Sequence, residues 1–248
     1  MKTLYFSSTG NCLYVAKSLG GECLSIPKLI GEGIYEIKDE AVGIVFPVYG
    51  LCIPPYIEEF LHKVKIECNY LFAIATYGFF PGSVCNEVKR IVLANGRKFD
   101  YINTIKMAEN CITFADMDKQ EGDSKKQQEA IDLISSDIVT QKRYVKKESP
   151  FKKLMTSNHK KKFEYPTGVG ITKEITINEK CAGCGMCAKL CPMGNIQIEG
   201  GHPVFSQNCI SCGACIQNCP QNAIHHNHEK SSARYRNPHV EVKELIYT

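Results

Sequence analysis

Two stretches of this chain repeat each other at an offset of 28 residues, and both are runs of four cysteines. The first is Cys181-x-x-Cys184-x-x-Cys187-x-x-x-Cys191-Pro192; the second is Cys209-x-x-Cys212-x-x-Cys215-x-x-x-Cys219-Pro220. Eight thiols within 39 residues cannot be accommodated as ordinary core residues. Three thiolates spaced by two residues can wrap one inorganic centre from a single tight loop. The small residues Ala182, Gly183, Gly185, Gly213 and Ala214 let the backbone come close to it. A proline after each fourth cysteine turns the chain away. Zinc prefers four ligands in a tetrahedron, commonly as two separated pairs, and two intact runs of four fit that poorly.

The spacing resembles that of bacterial two-cluster ferredoxins, in which the fourth cysteine of each run ligates the other cluster. By that likeness Cys181, Cys184, Cys187 and Cys219 hold one [4Fe–4S] cluster, and Cys209, Cys212, Cys215 and Cys191 hold the other. Asn195–Ile198 and Pro203–Phe205 flank Gly200-Gly201 and read as a hairpin. The cysteine-rich segment has few large apolar side chains, so metal centres would supply much of its folding free energy.

The remaining six of fourteen cysteines (Cys12, Cys23, Cys52, Cys68, Cys85 and Cys111) are scattered over the first 111 residues and read as buried or partly buried thiols. No secretory signal is recognisable and no run is long enough to span a membrane. A cytoplasmic, reducing location is therefore expected rather than a secreted disulfide scaffold. The net charge of +4 argues against a dedicated nucleic-acid binder. With 248 residues, 44% of them apolar, the chain can build one medium domain and a small one.

The first part of the chain alternates apolar strands with amphipathic helices. Strands are expected at Thr3–Phe6, Glu22–Ile26, Ala41–Phe46, Leu71–Thr76 and Tyr101–Lys106. Helices are expected at Asn11–Leu19, from Pro55, at Pro81–Ala94 and at Ser124–Lys147. Strands apolar on both faces imply a parallel sheet covered on both sides, here an α/β doubly wound sheet of five strands. Ligands on such sheets sit beyond the carboxyl ends of the strands.

Strand one runs into Ser7-Ser8-Thr9-Gly10-Asn11-Cys12, where hydroxyls, a glycine and a helix N-terminus make an anion cradle or a plain capping turn. No Walker A lysine and no Gly-x-Gly-x-x-Gly follows. Pro47-Val48-Tyr49-Gly50 and Thr76-Tyr77-Gly78, with Pro81-Gly82 beyond, place aromatic rings beside glycines at two further strand ends. A flat isoalloxazine ring needs such faces and exposed backbone amides; packing of these rings over the core is the alternative.

On these loops, the cysteine runs and the segment Arg234-Tyr235-Arg236-Asn237-Pro238, the chain resembles the flavodoxin–ferredoxin fusion proteins of anaerobic bacteria and archaea. The resemblance implies a flavodoxin-like FMN-binding domain over 1–147, a basic linker over 148–172, a small α+β ferredoxin domain over 173–228 and a polar tail over 229–248. It implies FMN, with Ser7, Thr9, Gly10 and Asn11 around the phosphate, Ser8 in the same loop, and Tyr49, Gly50, Tyr77 and Gly78 near the ring, flanked by Pro47, Val48 and Thr76. Cys12 stands where flavodoxins usually place a hydroxyl, and a thiol is the weaker donor.

Flavin exchanges one or two electrons and each cluster one, so the expected function is electron transfer that converts between the two. The alternative is an FMN-dependent reductase of a small substrate fed by the ferredoxin part; no substrate-specific acid or base marks it, and no nicotinamide fingerprint is present. Redox partner proteins are expected, and a homodimer is open. Residues 142–162 carry nine Lys or Arg and read as a solvated face or a docking patch. His225-His226-Asn227-His228 reads as an exposed turn.

Overall fold

A computed structural model describes residues 1–120, 124–162 and 172–247, with the backbone alone at 160–162. The chain forms two compact units. Among the described residues, the first comprises 1–7, 12–107 and 124–162, and the second comprises 8–11, 108–120 and 172–247.

The first unit is built on a parallel sheet. Its strands are β1 (Lys2–Tyr5), β2 (Glu22–Ser25), β4 (Ala41–Pro47), β6 (Tyr70–Tyr77), β7 (Tyr101–Lys106) and β8 (Tyr144–Val145). They lie in the order β2-β1-β4-β6-β7-β8, every pair parallel. The first five follow the doubly wound order 2-1-3-4-5. Leu4 faces Ile44, Ile44 faces Ala73 and Ala73 faces Ile102 across the centre. Nearly every residue of β4 and β6 is buried, as expected of strands covered on both faces. Gly43 is required inside β4 because the Phe72 ring of the next strand lies where its Cβ would be.

The expected count of five strands is corrected to six. β8 lies within the helix expected over Ser124–Lys147. That helix, α5 (Lys125–Val139), opens on Ser124, whose hydroxyl accepts from the Gln127 amide at 3.2 Å, and stops at Thr140. Gln141 then takes φ +50° and the chain turns to pair Tyr144 with Tyr101. Two further strands, β3 (Glu36–Lys38) and β5 (Lys65–Glu67), pair in a separate parallel ribbon.

The helices α1 (Asn11–Ser18), α2 (Ile26–Gly31), α3 (Pro55–Lys63), α4 (Val84–Arg90) and α6 (Pro150–Lys162) complete this part of the chain. Pro55 occupies the first turn of α3, where no amide partner is lost, and Ile57, Phe60 and Leu61 form its buried face. The helix expected over Pro81–Ala94 is shorter at both ends. The Glu148 carboxylate accepts from the amides of Cys85 at 3.1 Å and Asn86 at 3.0 Å, so a residue distant in sequence caps α4. Helix α6 occupies 150–162, where a basic linker over 148–172 was expected; residues 163–171 of that linker lie outside the described residues.

The second unit is small and repetitive. Strands β9 (Ile175–Ile177) and β12 (Ile224–His226) pair antiparallel, and β10 (Ile196–Glu199) with β11 (His202–Phe205) forms the expected hairpin around Gly200-Gly201. Short helices α7 (Met186–Lys189) and α8 (Ala214–Gln217) follow glycines held at φ +72° and +70°, one in each cysteine run. Ile112, Met117, Cys187, Ile196, Ile216, Ile224 and Tyr235 share its apolar core. The segment from 229, expected to be a polar tail, is folded: Tyr235, Asn237, Val240, Leu245 and Tyr247 are buried, and the Tyr247 amide donates to the Lys189 carbonyl. Among the described residues no helix is long and apolar enough to cross a membrane.

Candidate cofactor sites

The cysteine runs fold into two matching loops. Met186–Lys189 and Ala214–Gln217 are helical at equivalent positions of the repeat, and each fourth cysteine is treated alike. The Asn195 amide donates to Cys191 Sγ at 3.2 Å, and the Ala223 amide donates to Cys219 Sγ at 3.3 Å, both four residues downstream. Such bonds to sulfur favour the thiolate and tune a bound centre.

Cys181, Cys184, Cys187 and Cys219 line one cavity, with Ala182, Gly183 and Gly185 on its loop side and Ile198, Pro203 and Ile224 closing it. Its wall combines three cysteines of the first run with the last of the second. Gly183, at φ +63°, brings the loop so close to the hairpin that a Cβ would lie 2.6 Å from the Gly201 carbonyl oxygen. The other four thiols also sense one another. Burial and then Cys212, Cys209 and Cys191 push the Cys215 thiol well above its usual range, and burial with Cys191 among the neighbours raises Cys212 to about 12. Burial likewise raises Cys187 to about 11, with Cys184 and Cys219 contributing. Thiolates at such positions require a cationic centre, so the donor set fits a soft iron–sulfur group. Among the described residues no three or more His, Cys, Asp or Glu side chains form a group that could hold a single metal ion.

The loops read as flavin-binding lie at the ends of β1, β4 and β6. In the first unit, Cys12 is buried, and its Sγ lies 3.1 Å from Thr76 Oγ1. Burial pushes this thiol up to about 12, against the lowering effect of Thr76 and Ser7, so it remains protonated. The Val48 amide donates to the Thr76 carbonyl at 2.8 Å, joining the Pro47 and Thr76 loops. Tyr49 and Cys52 form an isolated bridge around exposed Gly50, at φ +51°, and Leu51, at φ +67°. The Tyr49 ring meets Phe6 edge-on at 6.4 Å. Tyr77 and Gly78 are half-buried at the end of β6, and Phe79 beyond them is 73% exposed.

Residues 8–11 belong to the second unit and are all buried, with Ser8 6%, Thr9 2% and Asn11 5% exposed. Asn218 Nδ2 donates to the Ser8 carbonyl at 2.9 Å, the Asn237 amide donates to the Thr9 carbonyl at 2.8 Å, and Asn110 Nδ2 donates to Thr9 Oγ1 at 2.6 Å. Asn11 Oδ1 accepts from Tyr235 and Asn237, while its Nδ2 donates to the Ala108 carbonyl. These bonds engage the loop's carbonyls and side chains; among the described residues, none uses the amides of Thr9, Gly10 or Asn11. Buried amides at a helix start fit an anion.

Residues 180–224 match the family of 4Fe-4S dicluster domains. The dicluster match contains all eight clustered cysteines, and the chemistry of such a domain is iron–sulfur electron transfer. No curated protein matches the chain. Among solved structures, a 1.50 Å crystal structure of a presumptive flavoprotein from Bacteroides uniformis aligns over 42% of this chain and 88% of its own, at 15% identity and a TM-score of 0.31.

Outside the dicluster segment two sequence readings change. Cys111 is exposed rather than buried, whereas Cys12 and Cys85 are buried and Cys23, Cys52 and Cys68 partly so. His225 and His226 lie in β12 rather than in an exposed turn, and His225 Nδ1 is 2.8 Å from the Glu229 carboxylate, which Arg234 also pairs. The partners of loop 8–11 were missed altogether. Asn110, Asn218 and Asn237 are ordinary polar residues in sequence, and only Arg234–Pro238 stood out as a motif.

Proposed function

We propose that this protein is an iron–sulfur flavoprotein that transfers electrons, holding two [4Fe–4S] clusters and FMN. The observation that carries the reading is the crossed grouping of cysteines, in which a cavity is shared by Cys181, Cys184 and Cys187 of one run and Cys219 of the other. On this reading Cys181, Cys184, Cys187 and Cys219 ligate one cluster, and Cys209, Cys212, Cys215 and Cys191 the second. The amides of Thr9, Gly10 and Asn11 take the FMN phosphate in the loop Ser7–Cys12. Pro47, Val48, Tyr49 and Gly50, with Thr76, Tyr77 and Gly78, flank the ring. The doubly wound strand order supports this placement, since these loops lie at carboxyl strand ends. Residues 1–147 then form a flavodoxin-like domain and 173–228 a ferredoxin domain, with 148–172 joining them and 229–248 following.

When bound, the clusters supply single electrons and the flavin exchanges one or two, which makes the chain a converter between one- and two-electron partners. The chain's own residues hold and tune these groups. The Asn195 and Ala223 amides stabilise the charge on Cys191 and Cys219. The Cys12 thiol, buried next to Thr76, stays neutral and adds no negative charge of its own to repel a phosphate. A reducing cytoplasm and protein redox partners suit eight ligand thiols that must stay unoxidised.

Anaerobic reconstitution with iron, sulfide and FMN, followed by elemental analysis and redox titration, tests the reading. About eight iron and about eight sulfide per chain, the content of two such clusters, are expected, together with FMN at one per chain. A colourless product that retains neither iron nor flavin overturns it.

A further inference from the structure

The loop proposed to take the FMN phosphate is held by a segment more than 220 residues away in sequence, and the bonds are selective. Asn11 would ordinarily be read as a phosphate contact through its side chain. That side chain is already committed at both ends. Its Oδ1 accepts from Tyr235 Oη at 2.8 Å and from Asn237 Nδ2 at 3.1 Å, and its Nδ2 donates to the Ala108 carbonyl at 3.1 Å. Asn237 also donates its backbone amide to the Thr9 carbonyl at 2.8 Å, and its own Oδ1 accepts from the His239 amide. It is fully buried.

A buried amide side chain with every polar atom bonded costs little to keep and much to disturb, so these bonds fix a single loop conformation. Gly10 sits at φ +95° with its α-carbon against Val240 and Asn237, where an added Cβ would approach Val240 Cβ to 2.9 Å. The segment 235–240 therefore packs on the loop and ties down the Thr9 carbonyl, and among the described residues the amides of Thr9, Gly10 and Asn11 are donors not engaged by protein.

We propose that Tyr235 and Asn237 are positioning residues for phosphate binding: by clamping Asn11 and the Thr9 carbonyl they hold the amides of Thr9, Gly10 and Asn11 in the conformation that accepts the phosphate monoester of FMN. This rests on the flavin reading above and extends it to the C-terminal segment. It also separates two parts of the flavin. The clamp acts on the loop proposed to take the phosphate, a group that riboflavin lacks, so its loss is felt by FMN and not by riboflavin.

The test uses the full chain, reconstituted anaerobically, as wild type, Tyr235→Phe and Asn237→Ala. FMN and riboflavin are titrated against each by quenching of flavin fluorescence, with iron and sulfide content measured on the same samples. Loss of one net hydrogen bond corresponds to a factor of about five in affinity. Tyr235→Phe is expected to weaken FMN by about fivefold, and Asn237→Ala, which removes one side-chain bond to Asn11 and one to His239, by about tenfold or more. Riboflavin affinity stays at the wild-type value, so the preference for FMN over riboflavin shrinks. Tyr235→Phe removes a single hydroxyl and keeps the ring in the core, so it answers the question if Asn237→Ala loses iron. Wild-type FMN affinity and preference in Tyr235→Phe overturn the proposal while leaving the flavin reading intact, as does an equal loss for both flavins. A wild-type chain that binds neither flavin overturns both.

Discussion

Gly10 shows how much a single position can decide. Its φ of +95° is open to glycine and strained for other residues, and the space beside its α-carbon is filled by Val240. Gly10→Ala therefore meets two penalties, backbone strain of about 1–3 kcal/mol and a steric clash that must displace Val240 or the loop. We expect weaker FMN binding together with faster amide hydrogen exchange through residues 235–240; wild-type exchange there would show that the contact is soft. Cys12 is a contrasting case. The expectation of a hydroxyl at this place in a flavin-binding loop makes it an odd thiol, yet burial beside Thr76 gives it an ordinary structural place as a small protonated side chain. The sequence shows both residues plainly. It does not show Val240 or Thr76 beside them, because those contacts are made by chain segments far away in number.

At the scale of the element, the long strands were legible because each is a continuous apolar run buried on both faces. β4 and β6 are of this kind. The short elements were not. β8 holds two residues in a basic stretch, and β3 and β5 hold three each with only the middle one buried, so none carries a hydrophobic period. Helix α4 was placed correctly but drawn too long, since its start depends on Glu148, a carboxylate more than fifty residues away. That capping arrangement makes a prediction. Glu148→Ala leaves the Cys85 and Asn86 amides without their acceptor at the positive end of the helix, a loss of about 1–2 kcal/mol. Amide exchange at Cys85 and Asn86 should accelerate by roughly tenfold, the equivalent of about 1.4 kcal/mol, with the sheet strands unchanged; equal protection in the variant would mean that solvent replaces the carboxylate at no cost.

For the molecule as a whole, the cysteine loops and loop 8–11 share one compact unit. Asn218 precedes Cys219 and donates to the Ser8 carbonyl; Gln217, two residues after Cys215, donates to the Asn110 carbonyl and accepts from the Tyr235 amide. The residues that brace the loop are thus attached to proposed cluster ligands. Removing iron with a chelator under anaerobic conditions should loosen α8 and weaken FMN binding by about tenfold or more, a coupling of about 1.4 kcal/mol. Linkage requires the reciprocal effect, slower iron loss in the presence of FMN. Equal FMN affinity in stripped and reconstituted chain would show that the loop stands without the clusters.

The sequence by itself determined the parts whose information is local. These are two cysteine runs with their spacing and prolines, the glycine hairpin at 200–201, and the apolar strands of a doubly wound sheet. Each depends on neighbours within a few residues, so period and spacing suffice. Only the tertiary structure decided what the loop at 8–11 touches, what caps α4, and that the polar segment from 229 folds with Tyr235 and Asn237 buried. Those outcomes rest on hydrogen bonds between residues distant in sequence, some of them more than 220 positions apart. Asparagine, glutamate and tyrosine side chains have the same appearance in sequence whether they face water or complete a distant loop.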